Sequence, residues 1–188
     1  MAIYKYIAVH FVFLTLEPFI SVWGFLIEMT YNKTRKLALS GVIIALYVVI
    51  MFVAKDFSFG LYQVRIATCL YSLSYFFPFL IVPMGVANFL SNVIGGMGPI
   101  DMFGGALVGI IASAGVYAVR RFNLPKFLVI PIIILVPGLI VSTWLSVFLN
   151  VPYVVMVINL CIGQTLPAIA GYMLVLTLPK TGVLKLWM

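Results

Sequence analysis

The stretch FLVIPIIILVPGLIVSTWLSVFL, residues 127–149, decides the fold class of this chain. It contains no charged residue, and as a helix rising about 1.5 Å per residue it is long enough to cross the roughly 30 Å hydrocarbon layer of a membrane. The chain as a whole is also strongly apolar, since 65% of its residues are hydrophobic and 8% are charged. Soluble domains are about a quarter charged. The composition therefore predicts an integral membrane protein and excludes a water-soluble enzyme.

Apolar runs bounded by glycine, proline or charge divide the chain into six predicted membrane segments. The second and third are short, and short or interrupted spans are typical of binding sites in transporters, because irregular backbone in a membrane is tolerated only around a cavity. We predict an all-α polytopic membrane protein with a six-transmembrane-helix domain over residues 34–188. The predicted segments are 37–54, 65–78, 83–95, 101–119, 127–149 and 153–178.

Residues 1–33 form a separate hydrophobic extension. The stretch is apolar and aromatic, but it contains Lys5, His10 and the pair Glu17-Pro18, and no small-residue cleavage site completes a signal-peptide pattern. It fits either a proline-interrupted seventh span or a helix lying along the membrane interface. We favour an extra N-terminal hydrophobic helix. The single histidine has no companion ligands and does not predict a metal site.

Basic residues predict the orientation of the chain. There are 11 Lys and Arg against 4 Asp and Glu, and most of the basic residues fall in short loops. With six spans the three main clusters share one side, which the positive-inside rule makes cytoplasmic. We therefore expect a multi-pass protein with a cytoplasmic C-terminus, and nucleic acid is not an expected partner. The clusters are Lys33, Arg35 and Lys36; Arg120, Arg121 and Lys126; and Lys180 and Lys185.

Hydrogen-bonding side chains concentrate in the outer half of the predicted segments. An unpaired polar group in a bilayer costs several kcal/mol, so these side chains either pair with each other, for example Arg65 with Asp101, or bind a ligand. Their one-sided distribution favours a ligand pocket open to the outside. Amides and flat aromatic rings suit a small, flat, uncharged or weakly charged heterocycle. The candidate binding residues are Arg65, Thr68, Tyr71, Asn88, Asn92, Asp101, Trp144, Asn159 and Gln164.

Motifs that supply energy or catalysis are absent from the sequence. It has no GxxxxGK[ST] phosphate loop, no HExxH, no Cys/His metal spacing and no GxSxG elbow. It also has no carboxylate near the middle of a predicted span, which disfavours a proton-coupled carrier. We expect no enzymatic activity, cofactor or metal in this chain. Uphill transport then depends on a partner that supplies the energy.

Small residues on the first predicted span offer a docking face for such a partner. Ala38, Gly41 and Ala45 lie along one side of the helix, where small side chains allow close backbone approach. Ordinary packing within the bundle is the alternative reading of this face. The similar set in the fourth segment, which includes Gly105 and Gly109, is assigned to internal packing.

Five stretches carry a resemblance to a known family. They are KLALSGVIIALYVV at 36–49, YQVRIATCL at 62–70, GVANFLSN at 85–92, GPIDMFGGALVGIIAS at 98–113 and INLCIGQTLP at 158–167. In order and spacing they resemble the substrate-binding S components of energy-coupling factor (ECF) importers, specifically the QueT group. The resemblance runs from about Lys36 to Gly182 and does not cover residues 1–33.

The resemblance implies a bacterial plasma-membrane protein that binds a 7-deazapurine base, queuine or a precursor of queuosine, in an outer pocket. It also implies delivery by a transmembrane coupling subunit and two ATPase subunits, with the first helix as the docking surface. By position, Arg65, Asn88 and Asp101 correspond to residues of the family. Thr68 and Gln164 depart from it, because QueT-like sequences usually have glutamate at both positions. The remaining alternatives are an S component for a different vitamin or heterocycle and a stand-alone membrane facilitator.

A carboxylate suits a guanine-like N–H edge or a cationic aminomethyl group, which it binds through charge-assisted hydrogen bonds. The neutral residues at positions 68 and 164 therefore bear on which base the chain binds.

Overall fold

The computed structural model describes residues 33–58 and 63–181, and every regular element within them is helical. The predicted N-terminal helix and His10 lie outside the described residues. Short helical turns, such as Lys55–Ser58 and Pro78–Leu80, join the main elements. The main elements are α1 (Lys33–Val53), a 3₁₀ helix (Ile66–Tyr75), α2 (Ile81–Gly95), α3 (Pro99–Arg121), α4 (Val129–Leu149) and α5 (Tyr153–Thr177).

Five helices in the described part of the chain are long and apolar enough to cross a membrane. This confirms the prediction of an all-α polytopic membrane protein, and five of the six predicted segments lie on these helices. The second predicted segment, 65–78, is a ten-residue 3₁₀ helix instead of an α-helix. The unusual helix type therefore falls in one of the two segments that the sequence marked as short.

The 3₁₀ helix lies in the middle of the bundle, packed against α5, α3 and α1. A 3₁₀ helix rises about 2.0 Å per residue against about 1.5 Å for an α-helix, so ten residues reach roughly 20 Å instead of roughly 15 Å. The tighter winding lets a short segment extend further through the bundle. Runs longer than three or four residues are uncommon, and here the neighbouring helices bury most of the side chains of the run.

Glycines bring α2 and α3 into close contact. A Cβ atom on Gly109 would lie 2.8 Å from the Met84 carbonyl oxygen and 3.2 Å from Gly85 Cα. A Cβ atom on Gly105 would collide with the Asn92 amide. The prediction that the small residues of the fourth segment serve internal packing is therefore confirmed.

The small residues of α1 behave differently. Gly41 and Ala45 are exposed and Ala38 is half-buried, and no atom of the described residues lies within 4 Å of a Cβ placed on Gly41. In the described part of the chain, 17% of the apolar membrane-spanning stretch of α1 is buried, against 39% of the corresponding stretch in each of the other four spans. The opposite side of α1 packs Tyr47 and Met51 into the core. Packing within the described bundle thus does not explain the small-residue face.

The apolar core consists of two clusters. The larger fills the space around the 3₁₀ helix, α1 and the C-terminal half of α3, and the smaller joins α3, α4 and α5 through Val108, Val141 and Leu160. The polar residues described next lie where the two clusters meet.

Candidate functional site

Three predicted binding residues form a column, with Thr68 and Tyr71 on the 3₁₀ helix and Arg65 directly before its first residue. Because this helix has three residues per turn, side chains at i and i+3 are eclipsed, which aligns Arg65, Thr68 and Tyr71. The Thr68 amide donates to the Arg65 carbonyl oxygen at 3.0 Å and starts the helix. All three side chains are buried and line one cavity. The unusual helix type is therefore what directs three polar side chains to the same place.

Asn88, on α2, is the centre of the hydrogen-bond network. Its Nδ2 donates to Tyr71 Oη and to the Gly105 carbonyl oxygen, both at 2.8 Å. Its Oδ1 accepts from Arg65 Nη1 at 3.3 Å and from Tyr47 Oη at 3.5 Å. These four bonds use both donors and both acceptor positions of the amide. One side chain thus joins α1, the 3₁₀ helix and α3 to α2.

Thr68 and Gln164 contact each other directly. The Thr68 hydroxyl lies 2.7 Å from Gln164 Oε1 and 2.7 Å from the Arg65 carbonyl oxygen, and its single proton serves one of them at a time. Gln164 Nε2 also donates to the Gln63 carbonyl oxygen at 3.4 Å. The two positions at which the chain departs from the QueT-like pattern therefore form one hydrogen-bonded pair between the 3₁₀ helix and α5.

The cavity between these residues has a volume of about 10 Å³, which is the space of a single water molecule. It is smaller than the open pocket that the sequence predicts, so a bicyclic base fits only if the lining side chains or helices move apart. Among the described lining residues, Arg65 is the only charged side chain. Five of the nine predicted binding residues line the cavity: Arg65, Thr68, Tyr71, Asn88 and Gln164.

Three further predicted residues form a second cluster at the N-terminal end of α3. Trp144 Nε1 donates to Asp101 Oδ1 at 3.0 Å, and Asn92 Nδ2 donates to the Asp101 carbonyl oxygen at 2.8 Å. The indole ring lies against Gly104, where a Cβ atom would be 2.8 Å from its nearest carbon. Asp101 thus binds Trp144, whereas Arg65 binds Asn88, so the alternative pairing of Arg65 with Asp101 is not formed.

Asn159, the ninth predicted residue, is half-buried on α5 and lines neither the cavity nor the second cluster. Sequence reasoning missed the buried Gln63, the network member Tyr47 and the apolar wall that includes Pro137. For Gln63 a signal existed, because it is a polar residue two positions before Arg65. Tyr47 lies on the side of the first span opposite Gly41, and helical periodicity alone directs it inward.

A known protein family matches the part of the chain that contains the cavity. A protein-family model described as "QueT transporter" matches residues 37–180, which is well over half of the chain and includes every residue lining the cavity. No curated protein and no solved structure matches.

Proposed function

Since the chain belongs to the QueT transporter family, we propose that it is the substrate-binding S component of an ECF-type ABC importer. In this proposal it captures a queuosine-related 7-deazapurine, queuine or a precursor base, from outside the cell. A transmembrane coupling subunit and two ATPase subunits then drive uptake. The observation that carries the proposal is the buried group of Arg65, Thr68, Tyr71, Asn88 and Gln164 around one cavity inside the matched region.

The chemistry of this group suits a heterocyclic base. Asn88 and Gln164 each carry donors and acceptors, as does the edge of a purine-like ring, and the Tyr71 ring adds a flat apolar face. A base that enters must replace the existing hydrogen bonds, because each buried polar group left unpaired costs about 1–3 kcal/mol. A site built this way rejects a ring that lacks the matching groups.

The proposed docking face is the side of α1 that carries the half-buried Ala38 and the exposed Gly41 and Ala45. Small side chains let a partner helix approach closely in the membrane, and this face is not covered by the described residues. In the proposed orientation the basic loops and the C-terminus lie in the cytoplasm, in accordance with the positive-inside rule. The polar cavity then lies toward the outside.

Mass spectrometry of small molecules released by denaturing the detergent-purified protein tests the substrate class. We expect a 7-deazapurine in the released fraction, or binding of about micromolar affinity or tighter when queuine and its 7-deazaguanine precursors are titrated. Failure of every such base to bind would contradict the proposed substrate and leave the family assignment intact. Uptake in cells without coupling subunits would instead favour a stand-alone facilitator.

Among the proposed bases, the charge of the cavity supports the uncharged 7-cyano-7-deazaguanine precursor in preference to queuine and the 7-aminomethyl precursor, which both carry a cationic aminomethyl group. No carboxylate lies among the described lining residues, so an ammonium group would have no charge-assisted acceptor among them. The lack of a carboxylate among the described lining residues also favours the second candidate function, an S component for a different uncharged heterocycle.

The substitution Gln164→Glu adds a nearly isosteric carboxylate at the cavity. We expect it to raise the affinity for 7-aminomethyl-7-deazaguanine, relative to that for 7-cyano-7-deazaguanine, by about tenfold. Competition titrations of the two bases measure this ratio. Asn159→Asp is the matched control, because it makes the same amide-to-acid change on the same helix away from the cavity. An equal shift in both variants would show that the cavity does not select the charge of the base.

A further inference from the structure

A second concave site lies at the basic end of the bundle, away from the polar cavity. It is a groove of about 440 Å³ between the end of the 3₁₀ helix and the end of α3, within the range of roughly 300–1,000 Å³ that is usual for small-molecule sites. Its lining residues are Phe76, Pro78, Tyr117, Arg120, Arg121 and Asn123.

Arg120 is held in a fixed position in this groove. Its Nη1 donates to the carbonyl oxygens of Tyr75 and Phe76, both at 3.2 Å. The guanidinium carbon also lies 6.0 Å from the Tyr75 ring centroid and 5.8 Å from that of Phe76. The two N–H groups of Nη1 are therefore used, and the three N–H groups of Nε and Nη2 bind no acceptor among the described residues.

The groove is strongly cationic. Arg121 is exposed beside Arg120, and both line the groove. Asp101, the acidic residue whose side chain the structure describes, lies at the opposite end of the bundle, at the start of α3. No described acidic residue thus offsets the charge of the two arginines at this end, and an arginine pair is a preferred partner of phosphate groups.

We propose that this groove binds the phosphate of an anionic phospholipid head group. Arg121 ends the apolar span Pro99–Arg121, so the groove lies at the depth of the membrane interface. One wall is apolar, formed by Phe76 and Pro78, and Phe122 next to the arginines is 71% exposed. Cationic pockets between membrane helices are known to recognise lipid head groups, and the pairing of an apolar wall with a cationic wall matches the two parts of a lipid.

Lipid binding to the full-length, detergent-purified protein tests this site. We expect wild-type protein to retain phosphatidylglycerol in native mass spectrometry and to gain thermal stability from it, with little effect of phosphatidylcholine. Arg121→Gln is expected to lower phosphatidylglycerol retention by about tenfold, since it removes charge-assisted hydrogen bonds to phosphate. Arg121 is the informative position because its side chain is exposed, whereas Arg120 also holds the end of the 3₁₀ helix.

Lys126→Gln is the matched control, because it removes the same charge from the short helical turn Lys126–Leu128, and Lys126 does not line the groove. An equal loss of lipid in Lys126→Gln and Arg121→Gln would overturn the proposal in favour of diffuse surface charge. Equal retention of phosphatidylcholine and phosphatidylglycerol would also overturn it. If inorganic phosphate raised the melting temperature as much as the lipid does, the site would belong to a free anion and the lipid assignment would be wrong.

Discussion

Replacing Asn88 with alanine is expected to lower the free energy of unfolding by about 3 kcal/mol and to abolish detectable binding of the base. The substitution removes four hydrogen bonds at once and takes one hydrogen-bond partner each from Arg65, Tyr71 and Tyr47. Each buried polar group left unpaired costs about 1–3 kcal/mol, partly recovered by rearrangement. The melting temperature of the purified protein measures the loss, which corresponds to roughly 10 °C.

Ser91→Ala is the control for that experiment. Ser91 is buried on the same helix one turn away, and its hydroxyl donates only to the backbone carbonyl oxygen of Asn88 at 2.9 Å. Loss of such a local bond costs about 1 kcal/mol or less. If Asn88→Ala melts no earlier than Ser91→Ala, Asn88 is not the centre of the network.

The substitution Gly41→Leu is expected to abolish uptake of the base in cells while leaving the fold and base binding unchanged. No described atom lies within 4 Å of a Cβ placed at this position, and Gly41 is exposed, so we expect the bundle to tolerate a leucine there. It does prevent a partner helix from approaching the small-residue face of α1. Uptake in cells that express the coupling subunits gives the first readout, and titration of the purified variant gives the second.

Leu46→Phe serves as the control in the same helix. Leu46 is exposed, but it points about 100° around the helix from Ala45 and further from Gly41. Added bulk at this position, although smaller than that of Gly41→Leu, should leave uptake near the wild-type rate. If both variants transport normally, the partner docks elsewhere; if Gly41→Leu also loses base binding, the substitution has damaged the fold.

The membrane spans were predictable because their signal is local. A long uncharged apolar run such as 127–149 is expected in the hydrocarbon layer of a membrane whatever the protein, and the arginines and lysines of the loops mark its limits. The internal role of Gly109 was predictable for a related reason, since small residues repeated along a helix indicate close packing. These inferences need no knowledge of which helices are neighbours.

The conformation of residues 66–75 was not predictable in the same way. Ala67 and Leu70 favour an α-helix, and the 3₁₀ geometry depends on the helices that surround the segment. The separation of the polar residues into two groups also depends on packing. Asn88 and Asn92 lie one turn apart on the same helix, yet Asn88 binds Tyr71 and Asn92 binds Asp101. The sequence indicates how deep each residue lies in the membrane, and this depth does not distinguish Asn88 from Asn92.

The three-residue turn of the 3₁₀ helix has a consequence for how this family can evolve. Each inserted or deleted residue rotates the following side chains by about 120°. A single insertion after Arg65 would move Thr68 and Tyr71 off the column and bring apolar positions such as Ala67 and Leu70 toward the cavity. Only a change of three residues restores the alignment. We therefore expect homologous transporters to alter ligand preference by exchanging side chains at these positions, while the length of the segment stays constant among them.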